Sequence, residues 1–227
     1  MISHEKKFVF IHIPRTGGYT LSNFLRPYCD EESLRKFSRF SGNSNLHATA
    51  CEYVEAYGRK IFEEYTVFSI VRNPFERAVS HSIWHNGATF DRSHFRNYIF
   101  KPYRIGFWPH SHFYFYQKPG IRPDMNAEDD LLTVVPSQIS MEGIKYMQKN
   151  LFFPHFIRFE NYVSDISKLF NKLEIEHDID VLKRKSNHTD HKHYSHYYLD
   201  DEINEIRNVC GFDLQILGYT FDDRRNK

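Results

Sequence analysis

Two segments in the first 85 residues each have the pattern of a buried strand, a turn and a helix. The first, residues 8–28, is a short apolar run followed by a proline, two glycines and an amphipathic stretch. The second, residues 65–85, is an apolar run that ends at an Arg-Asn-Pro turn, and its proline suits the first position of a helix. Two consecutive units of this kind predict an α/β fold with a central parallel sheet that is flanked by helices.

The rest of the chain gives weaker patterns, which predict one further strand, several helices and two loop regions. We interpret residues 1–227 as a single domain with a loop-rich insertion over 86–135, and Gly58 and Gly211 as helix stops. The predicted elements are a strand over 156–159, helices over 48–57, 93–100, 137–149, 160–173 and 200–210, and a loop over 178–196.

Composition excludes several classes of protein. The formal net charge is +1 and 41% of the residues are hydrophobic, which is typical of a globular chain and gives no global reason to expect nucleic-acid binding. The three cysteines form no close pair, so neither a disulfide scaffold nor a cysteine zinc site is predicted. No apolar run approaches the length of a membrane span, so we expect a cytoplasmic protein, although a chain cut from its anchor would show the same pattern.

The loop of the first unit has the composition of a phosphate-binding site. Glycines allow the backbone to approach an anion closely, and the following helix presents free N–H groups. A guanidinium and hydroxyl groups add further donors. The residues concerned are Arg15, Thr16, Gly17, Gly18, Tyr19, Thr20 and Ser22. No Gly-Lys-Ser/Thr follows, so this is not a Walker A loop, and an ordinary turn with glycines for geometry is the alternative.

The turn of the second unit contains another candidate anion ligand. Arg72 comes where the strand ends, and the carboxyl ends of parallel strands line the ligand crevice of open α/β sheets. Ser80 lies two helical turns further on. The alternative is that Arg72 only caps the sheet.

At these two segments the chain resembles a known family. "FIHIPRTGGYTLSNFL" and "FSIVRNPFERAVSHSIWH" resemble the 5′-phosphosulfate loop and the 3′-phosphate segment of sulfotransferases that use 3′-phosphoadenosine 5′-phosphosulfate (PAPS). The similar subgroup acts on carbohydrates and includes heparan sulfate 2-O-sulfotransferases and small bacterial proteins. Further resembling pieces follow in order along nearly the whole chain: "LHATACEY", "FIRFENY" and "HYYLDDEINEIRNVCGFDLQILGYTF".

The resemblance implies a three-layer P-loop-like fold and specific roles for several residues. The loop of Arg15 would hold the 5′-phosphosulfate, Arg72 and Ser80 the 3′-phosphate, and Lys185 and Ser186 would belong to a late loop against PAPS. The subgroup usually has lysine where this chain has Arg15, whereas tyrosylprotein sulfotransferases have arginine. Arginine keeps the charge but does not give up a proton.

His47 is the predicted catalytic base. Transfer of a sulfuryl group to a sugar hydroxyl requires removal of the hydroxyl proton, and a histidine titrates in a suitable range. The position of His47 matches a histidine of the 2-O-sulfotransferases, whose second histidine corresponds to Asn45 of this chain. Alternatively, His47 caps or packs against the next helix; His81 and Glu52 are then the next candidate bases. We expect His12 to be buried and hydrogen-bonded.

The sequence therefore predicts a PAPS-dependent sulfotransferase with a carbohydrate acceptor and no required metal. The aromatic segment 107–116 belongs either to the core or to acceptor selection, and the histidines of 188–196 either to a solvated loop or to a metal site. A P-loop-type small-molecule kinase and a catalytically silent nucleotide- or glycan-binding module are the alternatives.

Overall fold

The computed structural model describes residues 1–31, 47–101, 109–114, 154–183 and 191–226. These residues form two compact units, each built from several segments of the chain. The first unit comprises 1–31, 47–72, 113–114 and 154–183, and the second comprises 73–101, 109–112 and 191–226. The predicted helix 137–149, most of the insertion 86–135, and Lys185 and Ser186 lie outside the described residues.

The described segments contain strands and helices that we number in chain order. The strands are β1 (Ile2–Ser3), β2 (Phe8–Ile11), β3 (Thr66–Val71) and β4 (His155–Arg158). The helices are α1 (Gly18–Leu25), α2 (Ala50–Tyr57), α3 (Lys60–Glu64), α4 (Pro74–His85), α5 (Arg92–Phe100), α6 (His110–Tyr114), α7 (Tyr162–Lys172), α8 (Ile179–Lys183), α9 (Asp200–Val209) and α10 (Gly211–Leu217). Short 3₁₀ helices cover Arg26–Tyr28, Phe159–Asn161 and Tyr194–Tyr197.

The first unit contains a four-stranded sheet in the order β1-β2-β3-β4. β2, β3 and β4 are parallel, with Phe10 opposite Phe68 and Ile70 opposite Ile157, while β1 pairs antiparallel with β2. The predicted α/β class with a largely parallel sheet is therefore confirmed. Since the carboxyl ends of β2, β3 and β4 meet at one edge, the turns that follow them are neighbours.

Alternation along the strands places one face of this sheet against helices. Phe8 and Phe10 of β2, with Phe68 of β3 and Ile157 of β4, belong to one buried cluster with apolar residues of α1 and α7. Leu21 and Leu25, four residues apart on α1, are fully buried there. Each large apolar side chain removed from water contributes about 1.5–3 kcal/mol, so this face holds the strand ends and α1 in fixed positions.

The second unit has its own aromatic and aliphatic core. Phe75 of α4, Phe95 of α5 and Ile206 of α9 are buried together with Tyr198, whose hydroxyl donates to the carbonyl of Phe75. The buried carboxylate of Glu202 accepts hydrogen bonds from Arg92 and Arg96 of α5. This unit is therefore held by a cluster of large side chains and by ion pairs at its margin.

Two predictions for the C-terminal region are wrong. The predicted helix 200–210 is α9 and ends at Val209, but Gly211 is the first residue of α10 and not a C-cap. The left-handed C-cap is Gly218, with φ of 66°, at the end of α10. The predicted loop 178–196 contains α8 and a 3₁₀ helix. No helix formed by the described segments has both the length and the apolar character needed to cross a membrane.

Candidate active site

The loop that follows β2 has an unusual backbone. Arg15 and Gly17 both have positive φ, at 62° and 87°, and Thr16 between them is fully buried. The Thr16 hydroxyl donates to the carbonyl of Ile13 at 2.8 Å, which closes the turn. α1 then begins at Gly18, so the loop leads directly into the free N–H groups of a helix N-terminus. A tight turn that leads into a helix N-terminus directs several backbone N–H groups to one place, where they can bind an anion.

The two glycines of this loop are required by close contacts. A Cβ on Gly18 would lie 2.2 Å from the ring of His12, which leaves no room for a side chain. A Cβ on Gly17 would lie 3.0 Å from the ring of Phe159 and 3.3 Å from that of Tyr162. The Tyr162 hydroxyl also donates to the Gly17 carbonyl at 3.3 Å. The glycines thus allow two aromatic side chains and one imidazole to pack directly against the loop backbone.

Arg72 is held against the same loop. It follows β3, is only 8% exposed, and its Nη1 donates to the carbonyl of Arg15 at 3.2 Å. The guanidinium carbon lies 4.2 Å from the centroid of the Phe159 ring, a cation–π distance. Arg72 therefore connects the ends of β2, β3 and β4, which is more than a cap on the sheet.

Two guanidinium groups lie close together in this partly buried region. Burial lowers the pKa of Arg15 to about 10, and the positive charge of Arg72 acts in the same direction. Arg15 still carries its charge near neutral pH. Two like charges of this kind favour a ligand with more than one negative charge.

His47 lies beside the loop and is oriented by its backbone. Its Nδ1 is 3.0 Å from the carbonyl oxygen of His12, and the two imidazole rings are 4.5 Å apart. A carbonyl only accepts, so Nδ1 of His47 carries a proton, and in the neutral ring the lone pair is then on Nε2. A half-buried imidazole with its lone pair on Nε2 is equipped to accept a proton.

The structure excludes a capping role for His47. Thr49 is the N-cap of α2, because its hydroxyl accepts from the backbone N–H of Glu52. The Glu52 carboxylate in turn accepts from the backbone N–H of Thr49 at 2.8 Å. The Glu52 carboxylate, a further candidate base from the sequence, is therefore engaged in hydrogen bonds of this capping box.

The remaining predicted site residues have different surroundings. Tyr19 is exposed and Thr20 partly exposed in the first turn of α1, but Ser22 is buried, with its Oγ 3.1 Å from Nδ1 of His12. Ser80 is fully buried in α4 of the second unit, so its contact with a 3′-phosphate stays a prediction. His81 is also buried in that helix.

The aromatic segment 107–116 belongs to the core where the structure describes it. His110 is buried, with its backbone N–H donating to Asp213, and Tyr114 is buried against Phe156. Two of the late histidines lie near carboxylates: His191 Nε2 is 3.5 Å from Glu76 and His193 Nε2 is 3.6 Å from Asp222. His188 lies outside the described residues. Within the described segments, no three potential ligands are grouped so as to hold a metal.

Phe159 and Tyr162 are site residues that sequence reasoning missed. The segment "FIRFENY" stands out in the sequence only for its resemblance, and nothing in it indicates that two of its rings contact the Gly17 loop. The one signal is the position of Phe159 at the end of a predicted strand, which the structure places beside the strand that leads to Arg72.

Comparison with known proteins agrees with this geometry. The model of the sulfotransferase family matches residues 1–107, a range that contains the Arg15 loop, His47 and Arg72. No curated protein and no solved structure gives a significant match. The family match supports a transferase that moves a sulfuryl group. Residues 1–107 of this chain are therefore similar to the sulfotransferase family.

Proposed function

We propose that the protein transfers a sulfuryl group from PAPS to a hydroxyl of a carbohydrate. The observation that carries this proposal is the hydrogen bond between Arg72 and the Arg15 carbonyl, which joins a helix-start loop to the end of the next parallel strand. PAPS carries a phosphosulfate and a separate 3′-phosphate. A loop rich in N–H donors with two adjacent guanidinium groups suits such a polyanion.

Each anionic group of PAPS has proposed binding residues in the protein. The N–H groups of residues 16–20 and the Arg15 guanidinium hold the 5′-phosphosulfate, and Arg72 holds the 3′-phosphate, for which the resemblance also implies Ser80. The resemblance implies further contacts with PAPS from Lys185 and Ser186. Tyr162 and Phe159 contribute indirectly, because their rings hold Gly17 and Arg72 in place. The P-loop-like architecture is part of the same proposal and is supported by the adjacent parallel strands β2 and β3. The single domain over 1–227 stays a prediction.

The reaction is an in-line displacement at sulfur. The acceptor hydroxyl oxygen forms a bond to sulfur while the bond between sulfur and the bridging phosphate oxygen breaks. The hydroxyl proton goes to Nε2 of His47, and the phosphate leaves with one more negative charge. Arg15 stabilises that charge electrostatically, since a guanidinium does not act as a proton donor.

A sugar hydroxyl is the proposed acceptor because it needs a base. An alcohol is a much weaker acid than a phenol, so a positioned imidazole contributes more to its reaction. The similarity of this chain to the carbohydrate-type subgroup supports the same choice.

The direct test is turnover of labelled PAPS with a panel of glycans and phenols. Transfer of label to a glycan is expected, and transfer only to phenols would contradict the proposed acceptor.

A thermal-shift assay tests the alternative that the protein is a kinase. The desulfated product PAP, at about 100 times its Kd, adds roughly 2.7 kcal/mol to the free energy of unfolding. A response to ATP with magnesium and none to PAP would favour a kinase.

A further inference from the structure

His12 lies at the point where the donor loop and the proposed base meet. It directly follows β2 and is 3% exposed, and its carbonyl oxygen is the group that accepts from Nδ1 of His47. Its own ring fills the space that a Cβ on Gly18 would take. One residue thus contacts both the base and the first residue of the helix behind the loop.

The His12 ring is held in turn by α1. Nδ1 of His12 is 3.1 Å from Oγ of Ser22, and Ser22 is 2% exposed. The Phe10 ring stacks on the His12 ring, with the two centroids 5.5 Å apart. Ser22 is one helical turn beyond Gly18, so the ring is fixed to α1 at two places.

We propose that His12 is a positioning residue for His47 and that the Ser22 hydroxyl is its anchor. The proposal rests on the proposed function, in which His47 accepts the proton of the acceptor hydroxyl. With the ring held between Gly18 and Ser22, the residue-12 carbonyl stays at Nδ1 of His47. That contact keeps the lone pair on Nε2 and fixes the base relative to the donor loop.

His12 itself is unsuited to proton transfer. Burial lowers its pKa well below the usual range, with the nearby His47 acting in the same direction, so the ring is neutral. A neutral neighbour places no positive charge beside His47. The buried ring also has Nδ1 occupied by Ser22, whereas His47 is partly accessible.

The test compares Ser22→Ala with Ser69→Ala in the full chain. Ser69 is also fully buried, but its hydroxyl donates to the Ile11 carbonyl in the same sheet and not to His12. Both variants remove one buried hydroxyl, so a general effect on the fold is common to both. The measurements are kcat with PAPS, the Kd of PAP, and the ¹⁵N chemical shifts of the His47 ring.

Ser22→Ala is expected to lower kcat about tenfold, the equivalent of one lost buried hydrogen bond, with the Kd of PAP nearly unchanged. The ¹⁵N shifts are expected to show one tautomer of His47 in the unmodified protein, with the proton on Nδ1. In Ser22→Ala they are expected to show a mixture of the Nδ1 and Nε2 tautomers. Ser22→Thr, which keeps the hydroxyl, is expected to retain the single tautomer. Ser69→Ala is expected to change neither kcat nor the tautomer.

Equal kcat losses in Ser22→Ala and Ser69→Ala would overturn the positioning role. A proton on Nε2 of His47 in the unmodified protein would overturn it without any variant. A different result would contradict the proposed function, namely full turnover in His47→Ala. If His47→Ala abolishes turnover while the two serine variants behave alike, only the role of His12 and Ser22 is wrong.

Discussion

Arg72 is the residue whose contacts best define the proposed donor site. Its guanidinium lies on the Phe159 ring and reaches the Arg15 carbonyl, an arrangement that fixes a flexible side chain before any ligand arrives. Fixed donors bind an anion more tightly than mobile ones, because less side-chain entropy is lost on binding.

Arg72→Ala is therefore expected to weaken PAP binding by roughly tenfold to hundredfold, the value of one charge-assisted hydrogen bond. Binding of adenosine 5′-phosphate, which lacks the 3′-phosphate, should change much less. Calorimetric titration of both nucleotides measures the difference. Arg59→Ala removes the same charge from an exposed position and serves as the control. Equal losses for both nucleotides would show that Arg72 does not recognise the 3′-phosphate.

His47→Ala is expected to separate catalysis from binding. Removing the base should lower turnover by about 10²–10⁴-fold and leave PAP affinity nearly unchanged. His47→Gln should not restore turnover, because an amide makes hydrogen bonds but does not accept the proton. The control is His4→Ala, which removes an exposed imidazole of the same unit. Full turnover in His47→Ala with normal PAP binding would place the base elsewhere.

Sequence reasoning reached some of these residues and not others. Arg15 and Arg72 could be predicted, because each follows a strand of a parallel sheet and strand ends meet at one edge. The contacts of Phe159 and Tyr162 with Gly17 could not, since they join residues more than 140 positions apart and leave no local pattern. Which ring nitrogen of His47 donates a hydrogen bond could not be predicted either, because it depends on the His12 carbonyl, 35 positions away in the sequence.

At the scale of elements, strong local signals gave accurate boundaries. α4 covers Pro74–His85 as predicted, because Asn73 caps it and Pro74 takes its first position. β1 was missed because two residues make too short a pattern, and Gly211 was misread because a glycine signals a stop only where φ becomes positive. Gly218 has that conformation and Gly211 does not.

Gly17→Ala tests whether the loop depends on packing beyond its backbone conformation. Gly17 and Gly218 both have positive φ at a helix end, but only Gly17 faces rings at 3.0–3.3 Å; nothing lies within 4 Å of a Cβ on Gly218. Gly218→Ala should lower the free energy of unfolding by about 1–2 kcal/mol from backbone strain alone. Gly17→Ala should lower the free energy of unfolding by more than Gly218→Ala does, and it should also weaken PAP binding. Urea unfolding and PAP titration measure both, and equal losses would contradict the packing role.

At the scale of the whole molecule, three of the proposed donor and base residues belong to the first unit, whereas Ser80 belongs to the second. The three are Arg15, His47 and Arg72, and the family match covers all of them. The first unit also buries a histidine in its centre, at the end of β2. The stability of the fold and the arrangement of the site therefore share one titratable residue, His12.

The free energy of unfolding should consequently fall at acid pH because of His12. Its pKa is lowered in the folded protein, first by burial and then by His47, so the unfolded chain binds the proton more readily. The stabilisation is complete above the ordinary pKa of 6.5 and is lost as pH falls below it, by up to about 1.4 kcal/mol per pH unit. Urea unfolding of the unmodified protein and of His12→Asn at pH 7.5, 6.5 and 5.5 should therefore give curves that run parallel above about pH 7 and converge below it. Curves that stay parallel to pH 5.5 would show that His12 is protonated equally in the folded and unfolded states.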